Sequence, residues 1–186
     1  MRLRVPFSEA DLPRLQSFGC GALPFQKEVS DWIVAPATTA DSALGDMRTR
    51  GTSVWLYETD DGDVIGFGSL ANRVWTIPNR QSGKKEAIPI QLIPNFAIDS
   101  RFKRKPEGAP EKEWYSRIVF EDLLVAAYER AVLQGLPRWL GLLVFADNLR
   151  AIKMYEEFGF EQIGRTKANY NRMLADLSEE TSSPAE

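Results

Sequence analysis

The sequence predicts an α+β (mixed α/β) fold: a central, twisted, mostly antiparallel mixed sheet flanked by helices. Three observations carry this. The elements read strand, two helices, three strands, helix, strand, helix, two strands. The tetrapeptide Asp60-Asp61-Gly62-Asp63 lies between two apolar runs and marks a hairpin. A long helical pattern precedes residues 139–145, a near-continuous apolar run expected to form a fully covered strand. With 186 residues, 44% of them hydrophobic, the chain has the size of one domain with a sizeable core. That domain is expected over residues 1–175, and the biased stretch 176–186 reads as a disordered tail.

Each element has its own signal. Leu3 and Val5 alternate with Arg2 and Arg4, a short strand ending at Pro6. Ser8 or Asp11 caps a helix through Leu12, Leu15 and Phe18 that Gly19 closes, and Pro13, tolerated only in a first turn, favours the later start. Phe25, Val29, Trp32 and Ile33 recur at helical spacing over 25–34, whereas 38–50 is ambiguous. Residues 52–59 and 64–70 form the hairpin strands, and 79–85 is a polar loop. A long strand over 86–99 contains Pro89 and Pro94, which cannot donate ladder hydrogen bonds, so it should be bulged or partly unpaired. A helix over 113–134 carries the stripe Phe120, Leu123, Leu124, Ala127 and Ala131 and stops at Gly135-Leu136-Pro137. After the apolar strand comes a helix over 148–158 with Gly159 as its left-handed cap, then strands near 160–166 and 170–174.

Composition excludes whole classes of chemistry. The chain has no His, which removes Ser–His–Asp triads, Cys–His pairs, imidazole bases and histidine metal ligands. The lone Cys20 removes intrachain disulfides and thiolate zinc clusters, and it reads as a small buried residue near a turn. Catalysis must rest on carboxylates, tyrosines, lysines, backbone dipoles or a reactive cofactor. The net charge of −3, from 23 basic and 26 acidic residues, gives no global attraction to nucleic acid or anionic membranes. No apolar run approaches the roughly 20 residues that span a bilayer, and no signal core follows Met1, so a cytoplasmic protein is expected.

Residues 144–160, VFADNLRAIKMYEEFGF, place Ala151, Ile152, Tyr155 and Phe158 on one helical face and Arg150, Lys153, Glu156 and Glu157 on the other. Read alone, Tyr155 is a core tyrosine and Asn148 an N-cap. The segment also resembles the late motif of the Gcn5-related N-acetyltransferases: apolar strand, Asn, Ala three residues on, Tyr four further, then Gly-Phe. The resemblance extends through the strand–helix order of residues 1–175. It implies acetyl-CoA as cosubstrate, Asn148 beside the pantetheine arm, and Tyr155 protonating the departing thiolate. A phenol of pKa about 10 is protonated at neutral pH, and a thiol of pKa about 8.5 is a good leaving group.

The family's second motif is an apolar strand leading into Arg/Gln-x-x-Gly-x-Gly/Ala, whose amides cradle the CoA pyrophosphate. Here Phe96, Ala97 and Ile98 match the strand, while the loop reads Lys103-Arg104-Lys105-Pro106-Glu107-Gly108 and 109–113 look inserted. Pro106 stands where the first Gly belongs and offers no N–H. Arg101, Lys103, Arg104 and Lys105 place four positive charges in five residues, which would offset that loss by pairing with phosphates. The resemblance thus assigns cofactor binding to Phe96, Ala97, Ile98, Lys103, Arg104, Lys105, Gly108, Asn148 and Tyr155.

No acidic residue lies between Ala87 and Ile98 to serve as the base that some relatives carry. Gln91 and Asn95 could order a water relay, and Glu58 and Glu86 are loose candidates. Trp75 and Trp114 sit near loops and could line an acceptor pocket. The function expected is direct attack of a primary amine on the acetyl-CoA thioester, with no metal. The acceptor would be a small molecule, protein or peptide; a homodimer is an option and a membrane is not expected. Two alternatives stand beside it. One is a toxin-type enzyme acetylating aminoacyl-tRNA, disfavoured by the net charge. The other is a non-catalytic acyl-CoA sensor or interaction module.

Overall fold

The computed structural model describes residues 2–39, 41–78, 84–103 and 114–178. In chain order these form β1 (Arg2–Pro6), a 3₁₀ helix (Glu9–Leu15), α1 (Pro24–Val34), α2 (Ala43–Arg50), β2 (Ser53–Glu58), β3 (Val64–Pro78), β4 (Lys85–Ile93), β5 (Phe96–Ile98), a 3₁₀ turn (Ser100–Phe102), α3 (Tyr115–Gln134), β6 (Trp139–Phe145), α4 (Leu149–Glu157), β7 (Glu161–Arg165) and β8 (Tyr170–Asp176). The strand order is β1-β2-β3-β4-β6-β8-β7, with β5 paired to β3. The pairing is antiparallel for β1–β2, β2–β3, β3–β5, β6–β8 and β7–β8, and parallel for β4–β6. The mixed, mostly antiparallel sheet is therefore present. The chain packs as two compact units, Met1–Ala71 with Asn95–Val125, and Asn72–Pro94 with Ala126–Glu186.

In the first unit one sheet face buries Leu56 and Phe67 against Leu15, Phe18, Trp32, Ile33 and Leu44 from the early helices. Trp32 stacks on Phe67 at 5.7 Å and donates its indole N–H to Asp46 at 3.1 Å. The opposite face collects Tyr57, Ile65, Ile98 and Val119. The hairpin turn forms as predicted: Thr59 N–H donates to the Asp63 carbonyl at 2.9 Å and Gly62 N–H to the Thr59 carbonyl at 3.1 Å. The ambiguous segment resolves as α2, capped where Ser42 Oγ accepts from Gly45 N–H at 3.0 Å.

Three expectations change. The first helix is 3₁₀, starting after Ser8, whose N–H and hydroxyl both bond Asp11, with Pro13 inside it. A helix interior containing proline lacks a donor, which suits a short, tight helix better than an α-helix. The expected long strand over 86–99 divides into β4 and β5 at Pro94-Asn95. β6 is not fully covered. In the second unit Leu140, Leu142 and Val144 are buried, while Leu143 is 44% exposed, because successive strand residues face opposite sides and the side of Leu143 is only partly covered.

In the same unit Gln91 is fully buried on β4 and donates to the carbonyls of Ala127 and Pro137 at 2.8 and 2.9 Å. Among the described residues no helix is long and apolar enough to cross a membrane.

Candidate active site

β5 owes its position to a proline. Ile93 still aligns with Leu142 of β6, but Pro94 has no N–H, and from Asn95 onward the chain pairs with β3 instead. Asn95 N–H donates to Ser69 Oγ at 3.0 Å and Asp99 N–H to the Ile65 carbonyl at 2.8 Å. Since backbone groups alternate along a strand, Asn95, Ala97 and Asp99 face β3, while the N–H and C=O of Phe96 and Ile98 point away from it. Among the described residues β5 has no other strand partner. Ala97 and Ile98 are buried, and the Phe96 ring meets Phe120 edge-on at 5.3 Å. These are donors and acceptors that an extended ligand arm could use as a strand would.

The turn after β5 is built on Asp99, which is 1% exposed. Its carboxylate accepts from Arg101 N–H at 2.9 Å, from Arg101 Nε at 3.0 Å and from Gly19 N–H at 3.3 Å. The Asp99 hydrogen bond raises the Arg101 guanidinium above its ordinary pKa, so this charge stays protonated and engaged. Arg101, counted in the basic run, is thus committed within the fold. Lys103 is exposed and its ammonium donates to the Cys20 carbonyl. Arg104, Lys105, Pro106 and Gly108 lie outside the described residues.

In the second unit Asn148 caps α4, its side-chain oxygen accepting from Ala151 N–H at 3.4 Å. Tyr155 sits on the buried face of that helix, 9% exposed, with its ring 6.1 Å from Phe160. The chain turns sharply behind it: Phe158 and Phe160 N–H both donate to the Tyr155 carbonyl at 3.0 Å, and Gly159 adopts φ +80° as expected of a left-handed cap. Burial pushes the Tyr155 phenol above its ordinary pKa. The phenol therefore keeps its proton across the physiological range.

Several of the other sequence candidates are engaged within the fold. Glu58 is 4% exposed and bonds Arg14 at 2.7 Å. Gln91 is engaged as described above, Asn95 holds β5 to β3 through its backbone, and Glu86 is exposed on β4. Cys20 is buried, its Sγ 2.9 Å from the Gln26 carbonyl and 3.2 Å from Ser30 Oγ. The Trp75 indole lies under the Arg172 guanidinium at 4.4 Å and against Gly141. Trp114 immediately precedes α3 and is half-buried. Asp99 was not singled out by sequence reasoning. Its partner Gly19 lies 80 residues away, a contact that no local pattern carries.

The element order, the mixed sheet and the strand switch at Pro94 give the chain the fold of the Gcn5-related N-acetyltransferases. Among solved structures it is similar to AtaTR bound with AcCoA, at 16% identity over 94% of this chain and 92% of that one, TM-score 0.61. A tyrosine-to-phenylalanine mutant of KacT is 12% identical over 95% and 96% of the two chains, also at TM-score 0.61. AtaT complexed with acetyl-methionyl-tRNAfMet is 17% identical over 85% of each chain, TM-score 0.56. No protein-family model and no curated protein matches the chain.

Proposed function

We propose that the protein is an acetyl-CoA-dependent N-acetyltransferase, its acetyltransferase domain spanning residues 1–175, in which a primary amine attacks the thioester directly. The observation that carries this reading is the outward edge of β5: Phe96 and Ile98 offer backbone donors and acceptors that no described strand uses. The fold shared with an AcCoA-bound structure supports it. Phe96, Ala97 and Ile98 then hold the pantetheine arm, Lys103, Arg104, Lys105 and Gly108 serve the phosphates, Asn148 borders the arm, and Tyr155 protonates the leaving thiolate. Holding amine and carbonyl together lowers the barrier even without a dedicated base. We propose a cytoplasmic location for this activity.

A narrower reading, acetylation of aminoacyl-tRNA, is favoured by the likeness to AtaT, which is seen with acetyl-methionyl-tRNAfMet. Thiol release from acetyl-CoA over a panel of amines, with aminoacyl-tRNA among the acceptors, tests both readings. Turnover on small amines alone supports the broad reading, and turnover on aminoacyl-tRNA alone supports the narrow one. CoA binding without turnover on any acceptor would leave a sensor.

A further inference from the structure

The loop around residues 18–21, between the first 3₁₀ helix and α1, is fastened to the turn that follows β5. Three contacts do this. Ser100 N–H donates to the Gly19 carbonyl at 2.8 Å, and Gly19 N–H donates to Asp99 Oδ2 at 3.3 Å. Asp99, buried and braced by Arg101, holds the turn itself in shape. The Lys103 ammonium reaches the Cys20 carbonyl. Two segments some 80 residues apart in sequence therefore share one hydrogen-bonded joint, and one member of that joint is a cation assigned above to cofactor phosphate.

We infer that Asp99 and Lys103 are positioning residues that couple the 18–21 loop to the phosphate end of the cofactor: Asp99 is the permanent fastening and Lys103 the exchangeable one. The exchange rests on the acetyl-CoA reading. A phosphate oxygen is a charged acceptor and bonds an ammonium more strongly than a neutral carbonyl does. When Lys103 turns to phosphate, the Cys20 carbonyl loses its donor and the loop is left on Asp99 and Ser100. The Asp99 fastening needs no ligand and holds in the free protein.

Cys20 is a built-in reporter. It is the chain's one cysteine and is 5% exposed, so a thiol reagent reaches it only when the loop opens. The experiment measures the maleimide labelling rate of Cys20 in the wild type, Asp99→Asn and Lys103→Met, with and without CoA, under native conditions. Without ligand, Asp99→Asn should label ~10-fold faster or more, as expected for weakening a hydrogen bond to a charged group. Lys103→Met should label ~2–10-fold faster.

CoA should speed labelling of the wild type and leave Lys103→Met unchanged. Ligand-free rates equal to wild type in both variants would overturn the fastening. Because Lys103 is exposed, its variant keeps that arm informative if Asp99→Asn does not fold. A CoA-induced rise in Tm with unchanged or slower wild-type labelling would overturn the exchange while sparing the cofactor reading. No rise in Tm would remove the cofactor reading and the exchange together, and the ligand-free rates would still decide the fastening.

Discussion

Tyr155 and Tyr57 are both buried phenols, but their environments differ. For Tyr155 burial alone pushes the pKa up; for Tyr57, fully buried on β2, burial is the larger cause and the Asp122 carboxylate adds to it. Below pH about 10 the folded and unfolded states both hold these protons. Above it the unfolded tyrosines ionise while the buried ones stay neutral, so the folded state binds more protons and stability falls as pH rises. Unfolding free energies from urea titrations should therefore hold level from about pH 8 to 9 and decline between about pH 10 and 11, by up to ~1.4 kcal/mol per pH unit for each tyrosine. Tyr57→Phe and Tyr155→Phe should each flatten that decline; a slope unchanged in both would assign it to other groups. Tyr155→Phe has a second consequence. It keeps the ring and removes the proposed proton donor, so kcat should fall by about 10²–10⁴-fold with CoA affinity nearly unchanged. Single-turnover rates and a CoA titration on both proteins check this, and a mutant with wild-type kcat would make Tyr155 a core residue.

At the scale of elements, β5 is the piece on which the proposed cofactor binding depends, and it is held by a close approach. A Cβ on Gly66 would lie 2.4 Å from the Ala97 carbonyl oxygen and 2.8 Å from Ile98 Cδ1. Backbone cannot yield as a side-chain tip can, so Gly66→Ala should push β5 off β3. The expected cost is about 1–3 kcal/mol of stability, with a loss of CoA affinity beyond what the stability change explains. Denaturant unfolding and isothermal titration measure the two, and a destabilised variant with wild-type affinity would separate β5 from the cofactor. The β5 break itself was half legible. Pro94 announced an interrupted ladder, but whether the chain would bulge or change partners depended on Ser69 and Ile65 being there to receive it. α2 was harder to read because its apolar face is short; Ser42 and Gly51 were the available cap signals, and Gly51 does adopt φ +62°.

For the whole molecule, the cofactor reading makes one thermodynamic demand. A ligand that binds only the folded state stabilises it by mass action, about 2.7 kcal/mol at a concentration 100 times Kd. For a chain of 186 residues that corresponds to a rise in Tm of ~5–10 °C with acetyl-CoA, read by differential scanning calorimetry. No rise at millimolar ligand would sink the assignment. By itself the sequence determined the hairpin at Gly62, the cap at Asn148, the turn at Gly159 and the burial of Tyr155, because each rests on neighbours a few residues apart. It also excluded imidazole and thiolate-cluster chemistry through composition alone. Only the tertiary structure decided that Glu58 belongs to Arg14, that Gln91 ties β4 to two distant carbonyls, and that Leu143 is left half open to solvent. It alone joined Asp99 and Lys103 to the 18–21 loop. Those outcomes depend on which distant groups meet, and a hydrogen bond or ion pair between residues 36 to 83 positions apart leaves no periodicity in the chain to read.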